Sequence, residues 1–244
     1  LVVDELTKDA AAVDAQDPTA VLAAAEKEGV RITAILTTHS HWDHAGGNAE
    51  LSRKLPGVPV YGGKGDDAEA VTVELDQDDT VTIGGLTVKT LFTPCHTAGH
   101  VCFFVENPAG GPSAVFTGDT LFVGGCGNFN SGTPAQMHKA MTLLATCPPE
   151  TLVYVGHEYT VANFRYAVTV EPDNPDFTAR AEWAAARRAA GEPTVPSTMA
   201  DELATNVFMR TTEPVVQGYC GVGSDPVAVL AELRKLKTAF GRRK

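Results

Sequence analysis

Residues 32–44 read Ile-Thr-Ala-Ile-Leu-Thr-Thr-His-Ser-His-Trp-Asp-His. The first five are a short apolar run of the kind that forms a buried strand. The strand delivers the chain to a segment in which His39, His41 and His44, with Asp43, fall within six residues. In extended backbone, residues i and i+2 point to one side, so His39 and His41 can face one metal together. A turn after them swings Asp43 and His44 toward a neighbouring position. Neutral imidazole and carboxylate suit zinc or iron. Ser40 and Trp42 take the alternate positions, where packing or hydrogen bonding is expected rather than ligation.

Working outward, further strands are expected at 1–3, 10–13, 58–61, 101–105, 114–117 and 152–155. A hairpin at 81–88 turns at Gly84-Gly85, where a tight turn needs positive φ. Asp17-Pro18 opens a helix that closes at Gly29, and Thr133-Pro134 opens another running to about Ala145. Strands and helices thus alternate, which argues for an α/β or α+β layered fold. Beyond about residue 160 the patterns are helical, with no good strand. The last helix begins at Ser224-Asp225-Pro226, and Val229, Leu230, Leu233, Leu236 and Phe240 recur along it at helical spacing. A domain boundary is expected near residue 160, dividing 1–160 from 161–244.

Three more candidate ligands sit at strand ends, where layered folds place their sites. They are His100 before the strand at 101–105, Asp119 after the strand at 114–117, and His157 after the strand at 152–155. His96 reads as a group orienting a ligand or as a buried, hydrogen-bonded side chain. His138 reads as helix surface.

The 244 residues carry 19 Lys+Arg against 30 Asp+Glu, a net charge of −11. A general nucleic-acid binder needs a basic face and is not expected. The charge is uneven, since 230–244 holds six basic residues and one acidic, a local +5. No apolar run approaches the roughly 20 residues of a membrane span. The five cysteines form no C-x-x-C pair, so free thiols in a reducing compartment are expected. No base is evident beside Cys95 or Cys126, and neither is expected to act as a nucleophile.

Five motifs occur in order: THSHWDHAGGN at 38–48, TPCHTAGH at 93–100, FTGDTLFVGGCG at 116–127, GHEYT at 156–160 and EPTVPST at 192–198. Together they resemble the glyoxalase II (hydroxyacylglutathione hydrolase) family of the metallo-β-lactamase superfamily, over about residues 1–240. The resemblance implies an αββα sandwich, the catalytic domain, followed by a small helical substrate-binding domain. It also implies a strand ahead of Leu1, so an N-terminal segment is expected to be missing. By position, His39, His41 and His100 would hold a first metal, and Asp43, His44 and His157 a second. Asp119 would bridge them. Asp43, His44 and Asp119 would thereby also be catalytic. The cofactor implied is a pair of divalent ions, with zinc favoured and iron or manganese also suited.

The implied reaction is hydrolysis of S-(2-hydroxyacyl)glutathione, typically S-D-lactoylglutathione, to a 2-hydroxy acid and glutathione by a hydroxide bridging the ions. Tyr159 matches the family's substrate tyrosine, and Arg234 and Lys237 match its C-terminal basic pair. Asn128 and Asn130 stand where a basic residue and a tyrosine are usual. That departure keeps open a lactonase or a hydrolase of another thiol's esters. A monomer in the cytoplasm is expected, or in mitochondria if a leader precedes the chain.

Overall fold

The computed structural model describes residues 1–242. Arg243 and Lys244, part of the basic C-terminal run, lie outside the described residues. A first sheet holds β1 (Val2–Val3), β2 (Asp9–Val13), β3 (Arg31–Thr37), β4 (Val60–Gly63) and β5 (Val73–Leu75), in that spatial order. Strands β2 to β5 are parallel, and β1 pairs antiparallel at the edge. Parallel neighbours need crossovers, which α1 (Pro18–Glu28) supplies first. Asp17 caps α1 by accepting from the Thr19 and Ala20 amides, and Gly29 ends it in the left-handed region. Between β3 and β4 run the short helices α2 (Trp42–Ala45) and α3 (Asn48–Lys54).

The second sheet begins with β6 (Thr80–Ile83), β7 (Leu86–Phe92), β8 (Val101–Val105) and β9 (Ala114–Phe116), an antiparallel run. Gly84 turns the β6–β7 hairpin at φ 56°. A small hairpin, β10 (Leu121–Phe122) with β11 (Gly125–Cys126), follows. Helix α4 (Pro134–Leu144) starts with a Thr133–Gln136 capping box and leads to β12 (Leu152–Tyr154), parallel to β9. After β12 come α5 (Thr160–Val170) and α6 (Pro175–Ala189), then β13 (Ser197–Thr198) and α7 (Met199–Thr205). Helices α8 (Pro214–Cys220) and α9 (Pro226–Gly241) complete the described chain.

The expectation of no strand after residue 160 is corrected by β13, which pairs antiparallel with β12. Two residues are too few to show a period-2 pattern, so the backbone pairing is the only signal.

Side-chain alternation sorts the layers. From β3, Ala34 and Leu36 face Val101, Phe103 and Val105 of β8 between the sheets. Ile32 and Ile35 face the other way, toward Ala25 of α1 and Leu51 of α3, and they share that face at odd spacing because the β2–β3 register shifts at Thr33. Both faces of β3 are covered, so its run is continuously apolar rather than alternating. The outer face of the second sheet packs on α4 and on the C-terminal helices in one core containing Val115, Leu144, Val153, Phe164, Phe177 and Leu233. The architecture is thus αββα, extended by helices.

Leu233 is fully buried in that core, and its carbonyl accepts the Tyr166 hydroxyl at 3.1 Å. Leu233→Ala is expected to cost about 2–5 kcal/mol, as buried Leu→Ala changes do. Urea unfolding of the two proteins checks it.

Candidate metal centre

Four loops meet at one end of the sandwich: those after β3, between β7 and β8, after β9, and after β12. Val101 N–H donates to the Thr38 carbonyl, tying the first two loops together. These loops bring seven side chains to one point.

On one side, His39 Nε2 and His96 Nε2 each lie 3.1 Å from His41 Nδ1. His96 Nε2 is 3.4 Å from Asp119 Oδ2. On the other side, His44 Nε2 lies 3.3 Å from His157 Nε2 and 3.3 Å from Asp119 Oδ1. His157 Nε2 is 3.3 Å from Asp43 Oδ2 and 3.5 Å from Asp119 Oδ1. Asp119 therefore turns one oxygen to each half.

The donor set fits divalent metal. Two ligands about 2.1 Å from a tetrahedral ion stand about 3.4 Å apart, close to the spacings here. The tautomers agree. The Thr38 hydroxyl donates to Asp14 Oδ2 at 2.8 Å, so it accepts from His39 Nδ1 at 3.0 Å. His96 Nδ1 donates to the Asn128 carbonyl at 3.0 Å. Both residues then aim an Nε2 lone pair at His41 Nδ1, which carries one proton at most and cannot satisfy both. Asp119 Oδ1 is buried and accepts no well-aligned hydrogen bond. An unsatisfied buried carboxylate oxygen among lone pairs is what a cation would complete.

Electrostatics point the same way. Burial, with the surrounding imidazoles, pushes His39 far below its usual range, so it stays a neutral donor. Burial also pulls His44 down, but the Asp119 and Asp14 carboxylates outweigh it and raise it to about 10. Positive charge is favoured at that spot. Burial pushes the Asp119 carboxyl up, and His44 more than offsets this, so Asp119 is held below the usual carboxylate range.

His100 does not join the cluster, contrary to the sequence expectation. It is fully buried. Its Nε2 accepts the Asp119 N–H at 3.1 Å, and its Nδ1 lies 3.0 Å from Thr93 Oγ1 and 3.1 Å from Thr120 Oγ1. Both ring nitrogens are engaged, and burial lowers it to about 3. His96 occupies the place assigned to it. The two histidines share one loop, and only the loop's path decides which ring faces the cluster.

Asp14 is a site residue that the sequence reading missed. It follows β2 as His39 follows β3, so the strand-end signal was available. Its carboxylate accepts the Thr38 N–H at 2.8 Å and the His44 Nδ1–H at 2.8 Å. It holds φ 47°, a strained conformation that the surrounding bonds maintain. Trp42, expected to pack or hydrogen-bond rather than ligate, is 74% exposed on α2. Cys95 is buried, and burial pushes its thiol up to about 12, so it is no nucleophile.

Beside the cluster, the Tyr159 ring stacks on His157 with centroids 4.9 Å apart and crosses Phe122 at 5.2 Å. Arg234 and Lys237 share the inward face of α9. Arg234 donates to the Cys126 carbonyl at 2.9 Å, and Lys237 donates to Asn163 Oδ1. Burial and the Arg234 charge pull Lys237 down to about 7. Asn163, a second residue the sequence reading missed, also donates to the Val123 carbonyl at 2.9 Å. Asn128 and Asn130 are exposed. His138 lies on α4, half-buried and away from the cluster. The basic C-terminal run is not one patch, since Lys235 pairs outward with Glu232 while Arg234 and Lys237 turn inward.

Comparison with known proteins adds the following. Residues 1–157 match the family model of the metallo-β-lactamase superfamily. Residues 158–240 match the model of the hydroxyacylglutathione hydrolase C-terminus. A cytoplasmic hydroxyacylglutathione hydrolase of Arabidopsis thaliana is 46% identical over 239 residues, 97% of this chain and 92% of that protein. A hydroxyacylglutathione hydrolase of a Synechococcus strain is 43% identical over 98% of this chain and 94% of its own length. Among solved structures, ETHE1 from Myxococcus xanthus superposes with a TM-score of 0.64 at 23% identity, covering 98% of this chain and 92% of that one. A metallo-β-lactamase from Staphylococcus aureus gives 0.65 at 19% identity, covering 96% and 66%. At these identities the structural likeness concerns the fold.

Proposed function

This chain belongs to the metallo-β-lactamase superfamily, in its hydroxyacylglutathione hydrolase family, and from that premise we propose how its residues divide the work. The reaction is hydrolysis of S-(2-hydroxyacyl)glutathione, with S-D-lactoylglutathione as the substrate, giving D-lactate and glutathione. The observation that carries the reading is the spacing of the ligand atoms around Asp119, 3.1–3.5 Å on both of its sides.

His39, His41, His96 and Asp119 would hold one divalent ion, and Asp43, His44, His157 and Asp119 a second. Bound there, the ions would supply Lewis acidity, acidifying water and polarising the thioester carbonyl. The protein's own groups prepare the site. Thr38, Asp14 and the Asn128 carbonyl fix the tautomers of His39, His44 and His96. Asp119 carries the charge shared between the halves. The Tyr159 ring, 49% exposed, forms a wall beside His157 for the acyl-thiol end. Arg234 and Lys237 offer positive charge to the anionic glutathione, and Asn163 orients the Lys237 ammonium. A thiolate leaves readily, so the site needs no strong general acid.

The donor set of nitrogen and oxygen favours zinc and also suits iron or manganese. We assign residues 1–160 to the catalytic domain and 161–244 to the substrate-binding helices. We place the enzyme in the cytoplasm as a monomer. Among the described residues no helix is long and apolar enough to cross a membrane.

The test is thiol release from S-D-lactoylglutathione by the metal-loaded protein. No release would sink the reading, and release from another thiol's esters or a lactone instead would favour the wider-superfamily alternative. Asn128 supplies no charge at its exposed position. Asn128→Arg is therefore expected to lower KM for the glutathione thioester by up to about fivefold, the scale of an exposed charge pair. Steady-state kinetics check it, and an unchanged KM would show that another group makes the contact.

A further inference from the structure

The loop after β4 carries a buried carboxylate that the chemistry above does not use. Asp66 is 6% exposed. Strand β4 lies parallel to β3, with Thr37 opposite Gly62, so the loops that leave the two strands run side by side. Asp66 Oδ2 accepts the Ser40 N–H at 2.5 Å, between His39 and His41. Its other oxygen, Oδ1, accepts the Gly99 N–H at 2.8 Å, in the loop that bears His96. One side chain therefore bonds to the backbones of both loops that supply the histidines of the first half-site.

The approach is close as well as bonded. A Cβ on Gly99 would stand 2.4 Å from the Lys64 carbonyl oxygen and 2.6 Å from the Asp66 nitrogen, so only glycine lets the loop at 96–100 lie against the loop at 64–67. A carboxylate also suits this place better than an amide. Two N–H groups need two acceptor oxygens, and an amide would turn its NH2 toward one of them.

We propose that Asp66 is a positioning residue for the metal centre, bracketing the His39–His41 loop to the His96 loop and so setting the distance between their ligand atoms. The proposal rests on the metal-site assignment above. It predicts a selective effect, because the Asp66 bonds fall on the backbone between His39 and His41 and on the His96 loop, whereas Asp43 and His44 sit beyond them on α2 and His157 follows β12. Losing a contact of this kind weakens metal binding by about 10- to 100-fold.

The experiment is a zinc titration of the metal-free protein against a chromophoric chelator, for the unaltered chain, Asp66→Asn and Asp67→Asn. Asp67 is the exposed neighbour in the same loop, so its variant removes the same charge without touching the bracket. Asp66→Asn is expected to bind one zinc about 10- to 100-fold more weakly and the other unchanged, and Asp67→Asn to match the unaltered chain. Equal weakening of both ions in Asp66→Asn, or the same loss in both variants, overturns the proposal. Far-UV circular dichroism establishes whether Asp66→Asn folds. Should it fail to fold, amide hydrogen exchange on the unaltered protein decides: slow exchange at Ser40 and Gly99 supports the bracket, and fast exchange at either overturns it. If the unaltered chain takes up no zinc, the metal-site assignment falls with the bracket. If it takes up two and Asp66→Asn does so equally well, only the bracket falls.

Discussion

Asp119→Ala is expected to lose at least one ion per chain and to lower kcat/KM for S-D-lactoylglutathione by about 10³-fold or more, about 4 kcal/mol of transition-state stabilisation. Among the described residues, Asp119 is the one side chain whose two oxygens reach both halves of the cluster: Oδ2 is 3.4 Å from His96, and Oδ1 is 3.3 Å from His44 and 3.5 Å from His157. It also supplies negative charge at the centre of the imidazoles. Alanine removes a ligand from each half at once and leaves the imidazoles of both halves facing one another. Elemental analysis beside steady-state kinetics checks it. Two ions retained with near-normal turnover would end the bridging assignment.

The second large effect separates two histidines four residues apart. His96→Ala is expected to leave one ion per chain and to cost about 10²-fold or more in kcat/KM, since it deletes a lone pair aimed into the cluster. His100→Ala is expected to keep two ions on the folded protein and to lower stability instead. Its Nε2 accepts the buried Asp119 N–H while its Nδ1–H lies between the Thr93 and Thr120 hydroxyls, and leaving a buried group of this kind unpaired costs about 1–3 kcal/mol. Metal content and thermal unfolding of both variants decide the matter. The opposite pattern, with an ion lost from His100→Ala and none from His96→Ala, would restore the ligand set expected from sequence.

Much of the sandwich is legible in the sequence. The apolar run at 32–36, the capped helices at 18 and 134, and the Gly84-Gly85 turn each rest on interactions within a few residues. Such signals survive in a linear reading because the physics behind them is local: strand periodicity, orphan amides at helix starts, and the freedom of glycine. Strand β13 left no such mark, since its identity comes from pairing with β12 some 45 residues earlier in the chain. The helices after residue 160 were legible as helices. Their packing into the same core as α4 and the second sheet was not, because a periodic face does not name the surface that it will cover.

The site divides in the same way. Sequence alone determined that this chain carries a histidine–carboxylate metal motif at the end of a buried strand, that Asp119 and His157 end strands nearby, and that the family is a glutathione-thioester hydrolase. Tertiary structure alone decided that His96 faces the cluster while His100 is spent on Asp119 and two threonines. It also decided that Asp14 orients His44, that Asp66 ties two loops of the cluster together, and that Arg234 and Lys237 turn inward while Lys235 of the same helix faces out. The reason is directional. Residue type and spacing say which atoms can donate a lone pair or a hydrogen bond. In an irregular loop no fixed period says where a side chain points, so its partner is settled only when distant strands bring other loops against it.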